Sequence, residues 1–221
     1  GARTSSDALN LPPSLIAQGA LFLQGNGGVA PPDALYVLQS GGNDARDALT
    51  EIASGTDLGT VIGTAAIDYA QATGALIDQL QAAGAERIVV WNVPNIGLAP
   101  AITSQGPQVA LIGEQIASAM NDALSDRISE EIGVTIFDDF SLVTSAVIDP
   151  AATGLLNMTD ACGAISACDP STYLFWDGLH PTSAGHALLA QHMLQMIPEP
   201  ATYALLMMGL LVIGLRVRYR H

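Results

Sequence analysis

Lysine is absent from this 221-residue sequence, and seven arginines stand against 21 acidic residues, a formal charge of −14. Arg216, Arg218 and Arg220 fall at the very end, so the body of the chain is more acidic still. A surface of that sign repels phosphate backbones and excludes nucleic acid as a partner. The acidity itself reads as a solubilising surface. Cysteine is almost as scarce: Cys162 and Cys168 share one Gly/Ala/Ser loop, and no further Cys or suitably placed His completes a zinc site. Either they close a small-loop disulfide, which implies an oxidising compartment, or they are free thiols. The first residue is Gly1, with no initiator Met, signal peptide or lead-in strand, so the chain reads as beginning inside a domain.

What is present is aliphatic residues, Ala and Gly in the proportions of a packed α/β domain, long enough to bury a proper core. A short helix is expected over 14–24. The apolar run 34–39, bounded by Pro31-Pro32-Asp33 and Ser40-Gly41-Gly42, reads as a buried strand. Helical spacing over 57–83 ends at Gly84; 87–93 reads as a second strand stopped by Pro94. A long helix over 108–132 closes on Gly133, and 134–137 reads as a third strand. A short helix follows over 141–148, then a loop over 150–172 that holds both cysteines. Strands alternating with long helices predict a parallel sheet covered on both faces, with sites at the carboxyl ends of the strands.

The stretch Tyr173 to His186 carries the chemistry. Asp177 and His180 lie three apart, followed by Pro181 and a helix start that Thr182 or Ser183 can cap. At that separation the carboxylate can fold back onto the imidazole Nδ1–H, fixing the tautomer and leaving Nε2 as a base. That is two-thirds of a serine-hydrolase triad, although an Asp and a His at a helix start also serve as a plain cap with a surface imidazole. Gly41-Gly42-Asn43-Asp44 directly follows the first strand. Asn43 offers an amide donor where an oxyanion could be held, while the plainer reading makes this a loop with Asp44 capping a helix. His186 and His192 read as helix-surface residues, and Trp176 as packing beside the site.

Together the two motifs resemble the SGNH, or GDSL, esterase and lipase superfamily over residues 1–197. Gly41 to Asp44 is similar to that family's third block, whose Asn is an oxyanion donor, and Asp177 to Thr182 to its fifth, whose Asp and His complete the triad. Val93 to Gly97 is similar to a Pro/Gly-rich turn common in these enzymes. Gly1 to Thr4 resembles the end of the second block, where a Gly N–H is the other oxyanion donor. The resemblance implies a flavodoxin-like three-layer α/β/α sandwich with a mainly parallel sheet. The first block, with its nucleophilic Ser, is missing, and no Gly-x-Ser-x-Gly elbow replaces it. The expectation is an N-terminally truncated domain whose first strand and nucleophile lie upstream of Gly1.

From residue 198 the sequence changes. Pro198-Glu199-Pro200 precedes an apolar run, 201–215, and then the Arg-rich end, a layout that resembles the PEP-CTERM sorting signal of Gram-negative bacteria. At about 1.5 Å per residue that run falls short of a stable membrane span. It implies an exosortase as partner, transient inner-membrane association through 201–215, and export to the periplasm, outer surface or matrix. The whole reading is a secreted carboxylic-ester hydrolase acting on a small-molecule or lipid ester without metal or organic cofactor. His180 would be base, Asp177 its orienter, and Asn43 and Gly1 the oxyanion donors. The alternatives are an acyltransferase or polysaccharide deacetylase of the same superfamily, or a non-catalytic surface-sorted protein on that scaffold.

Overall fold

The computed structural model describes residues 2–5 and 12–197. Residues 1–189 form one compact unit and 190–221 a second. Gly1 and the tail from Pro198 onward, both assigned roles above, lie outside the described residues. Among the described residues there are seven α-helices and five strands, all strand pairing parallel apart from one isolated bridge.

The main sheet has the order β1 (Tyr36–Gln39), β2 (Ile88–Trp91), β3 (Val134–Phe137). β2 lies between its neighbours and buries Ile88, Val89 and Val90, which is why it reads as an uninterrupted apolar run. Leu38 pairs with Val90 and Val90 with Ile136; one step on, Gln39 pairs with Trp91 and Trp91 with Phe137. The three strands therefore end in one row, and whatever follows each of them emerges on the same rim. Among the described residues β1 pairs with β2 alone, so its other edge carries no strand.

Two long helices close the core. In α3 (Leu58–Ala82), Asp57 caps the start by accepting from the Thr60 N–H at 2.9 Å, and Val61, Tyr69, Ala70, Leu76, Ile77 and Leu80 are buried. In α5 (Pro107–Ile128), Pro107 opens the helix and Ile116, Ala117, Met120, Leu124 and Ile128 are buried. Each such aliphatic side chain contributes about 1.5–3 kcal/mol of burial. The remaining helices are α1 (Leu15–Gly25), α2 (Gly42–Ala53), α4 (Pro100–Thr103), α6 (Asp139–Ile148) and α7 (Ser183–Met196).

Besides β1, read as a buried strand but with only Leu38 buried and Val37 46% exposed, two features depart from the sequence expectation. The span 150–172 is not loop throughout: β4 (Asn157–Ala161) pairs in parallel with β5 (Tyr173–Phe175) as a second small sheet. With Met158 the only buried residue of β4, the strand lacks the apolar pattern that would have revealed it. Second, Asp44 does not cap a helix; α2 already begins at Gly42, with Gly41 as its left-handed N-cap at φ 93°. A Cβ on Gly41 would stand 2.5 Å from Val93 and 2.8 Å from Tyr69, so both the conformation and the space demand glycine. Cys162 and Cys168 are disulfide-bonded, their Cα atoms 5.5 Å apart.

Candidate active site

The loops leaving the aligned strand ends surround a single cavity of about 320 Å³. After β1 come Ser40, Gly42 and Asn43; after β2, Pro94, Asn95 and Ile96; after β3, Asp139; after β5, Leu179 and His180. Residues far apart in sequence thus converge as parallel-sheet topology requires.

The turn after β5 is tightly determined. The Trp176 N–H donates to the His180 carbonyl at 2.8 Å, the Thr182 N–H donates to the Leu174 carbonyl at 2.8 Å, and Phe175 bridges Pro181. Within it Asp177 Oδ1 accepts from the N–H groups of Leu179 and His180, each at 2.7 Å, an Asx-turn that leaves Oδ2 for the imidazole. His180 Nδ1 meets Asp177 Oδ2 at 2.8 Å, within the reach that the spacing predicted. Burial alone would raise the Asp177 carboxyl, but the His180 N–H, its ring and the Leu179 N–H outweigh it and bring the pKa to about 2. Downstream, Thr182 Oγ1 accepts from the Gly185 N–H at 3.0 Å and caps α7, as expected.

Asn43 sits in the first turn of α2, its Oδ1 accepting from Arg46 Nη1 at 3.3 Å. Next to it the short segment 2–5 is tied down. The buried Thr4 donates its N–H to both oxygens of Asp44, at 3.1 and 3.0 Å, and Arg3 forks onto Asp47. Burial pushes the Asp44 carboxyl up against these bonds. Ala2 lines the cavity, whereas its neighbour Gly1 is outside the described residues. Ser40 also lines it, its Oγ 2.9 Å from Thr4 Oγ1; no described serine hydrogen-bonds the His180 ring.

Sequence reasoning missed the asparagines and the acid behind this rim. Asn121 clamps the end of β2, accepting from the Val93 N–H and donating to its carbonyl, both at 2.8 Å. Asn92 donates to Asp138 Oδ1 at 2.8 Å and accepts from the Phe140 N–H at 3.0 Å, joining the end of β2 to the start of α6. Asp139, next in line, is buried in the cavity wall. The tandem Asp138-Asp139 after a strand signals a helix start but not which carboxyl turns inward. His186 lines the cavity from an otherwise exposed position, while Trp176 is half exposed and stands against Gly163. Among the described residues no group of His, Cys, Asp and Glu could hold a metal ion.

An α/β domain with an acid–imidazole pair and an asparagine on one strand-end cavity has the layout of the hydrolases that the sequence resembles. The pattern described as GDSL-like Lipase/Acylhydrolase matches residues 3–193, and the chain belongs to that family. Esterase EstA of Pseudomonas aeruginosa is 32% identical over 80% of this chain, and a GDSL esterase/lipase of Arabidopsis thaliana 26% over 75%. A Pseudomonas putida protein from the trpE–trpG intergenic region is 27% identical over 92%. The chain spans 28%, 51% and 36% of these relatives' own lengths, in that order. Residues 197–220 match the PEP-CTERM protein-sorting motif, which implies exosortase-mediated sorting at the surface of a Gram-negative cell.

Proposed function

We propose that this chain supplies the base, its orienting acid and the oxyanion donors of an exported carboxylic-ester hydrolase. Its nucleophilic serine would come from sequence N-terminal to Gly1. The observation that carries the reading is the Asp177–His180 contact at 2.8 Å on a cavity that Asn43 shares. Two facts support an external serine: no described serine hydrogen-bonds the His180 ring, and the chain spans at most 51% of the relatives named above.

In the complete enzyme His180 Nε2 takes the serine proton as the hydroxyl attacks the ester carbonyl. Asp177, ionised throughout the working range, keeps the Nδ1–H tautomer and stabilises the imidazolium that forms. Asn43 and the Gly1 N–H donate to the developing oxyanion. The imidazolium then returns its proton to the departing alkoxide, and water, deprotonated by the same His180, releases the acid from the acyl-serine. Processing of the tail by an exosortase, after transient anchoring through 201–215, would deliver domain 1–197 beyond the inner membrane.

Hydrolysis of a p-nitrophenyl ester by the full-length protein tests this. His180→Ala lowers kcat on the order of 10⁴-fold or more while the circular dichroism spectrum is unchanged. Wild-type turnover in that variant removes His180 from the reaction, and a wild type without turnover leaves a sorted, non-catalytic scaffold.

A further inference from the structure

None of those steps uses Asp139. It occupies the first turn of α6, is 3% exposed, and lines the cavity together with His180 and Asn43. Among the described residues its buried Oδ1 has no hydrogen-bond partner. A helix start ordinarily offers N–H groups to a carboxylate, but here the neighbours take them. The Ser141 N–H donates to Asp138 Oδ1 at 3.0 Å and the Phe140 N–H to Asn92 Oδ1. Burial, aided by the charge of Asp138, pushes the Asp139 carboxyl up to about 7. A valine or leucine would fill a purely structural position without an unpaired polar atom. An acid kept in such a place, on the wall of a cavity with apolar neighbours such as Val143, Leu174 and Phe175, is suited to meet a ligand.

We propose that Asp139 binds an ammonium group carried by the substrate, so that the cavity favours amino-bearing esters over neutral ones of the same shape. An ammonium supplies both N–H donors and the countercharge that a buried carboxylate lacks. The long-range field agrees, because a chain of formal charge −14 with no lysine draws cations toward its clefts. Arg46 is the only fixed cation in the described lining, and it bonds Asn43 Oδ1; the remaining titratable side chains there are His180 and His186. Calling the ligand a substrate rests on the hydrolase reading above; the binding itself does not.

The test is a binding titration of the purified chain by NMR at neutral pH, with n-pentylammonium, n-pentanol and n-pentanoate as matched probes. The ammonium is expected to bind tighter than the alcohol on the order of tenfold, and Asp139→Asn to erase that preference. Equal affinities, tighter binding of the alcohol or the acid, or an ammonium preference that survives Asp139→Asn overturns the proposal. Should Asp139→Asn fail to fold, the ¹³C titration of the Asp139 carboxyl in the wild type decides. Its midpoint falls at saturating ammonium if the two meet, and an unmoved midpoint rejects the contact. Hydrolysis enters none of these readouts. Ester hydrolysis by the full-length protein with no amine preference refutes this inference alone, and an amine preference with no hydrolysis by the full-length protein refutes the hydrolase reading alone.

Discussion

The turn after β5 and the turn after β3 each bring an aspartate to the same rim, and the two carboxyls are held in opposite ways. Asp177 is half exposed, yet two backbone N–H groups and an imidazole converge on it, and its pKa falls to about 2. Asp139 is 3% exposed with a partnerless Oδ1, and its pKa rises to about 7. Donors, not exposure, decide the first case; desolvation decides the second. One position is built to stay charged beside a base, and the other is an acid whose charge depends on what enters the cavity.

Removing the charge from the well-partnered member gives the larger effect. Asp177→Asn in the full-length enzyme lowers kcat on the order of 10⁴-fold, since an amide in that place favours the wrong tautomer of His180. Ester turnover against pH checks it, and a loss under tenfold would show that the turn itself, not the carboxylate, orients the ring. Asn43→Ala is expected to cost about 10²–10³ in kcat with KM little changed, the scale for one oxyanion donor. A change confined to KM would assign Asn43 to binding.

The poorly partnered member shows its effect in stability. The folded-state pKa of Asp139 is raised, so its contribution is fully present below the ordinary carboxylate range and is lost as pH rises through about 7. Asp139→Asn should therefore stabilise the protein above pH 7 by on the order of 4 kcal/mol and leave it nearly unchanged at pH 4. Asp177 runs the other way: its depressed pKa stabilises above the ordinary range, and that stability is lost as pH falls through about 2. Urea unfolding across pH checks both signs, and a flat difference between wild type and Asp139→Asn would contradict the buried-acid description. Smallest of the four, replacing both Cys162 and Cys168 by Ser should cost about 2 kcal/mol, the loop-closure entropy of so short a ring. Thermal unfolding of the double variant reads that difference directly.

The same contrast explains how much of this was readable in the sequence. Asp177 and His180 were visible because their partners are local: an Asx-turn, a Pro and a cap within a few residues. The strands of the main sheet were visible because the apolar runs around Ile88–Val90 and Tyr36–Gln39 stand between turn formers. Asp139 was not, because its lack of a partner involves Asn92, 47 positions earlier in the chain, which takes the Phe140 N–H. β4 was hidden for a related reason: its residues are mostly polar, and its strand character comes from pairing with β5. Helix α2 starts at Gly42, ahead of an Asp44 cap, directly after Gly41, which Tyr69 and Val93 hold to glycine.

Covalent labelling of the full-length protein with a fluorophosphonate, followed by peptide mass spectrometry, tests the central claim most directly. A single modified serine N-terminal to Gly1, with labelling lost in His180→Ala, is the predicted result. A modified serine within the present chain, or undiminished labelling without His180, would contradict it.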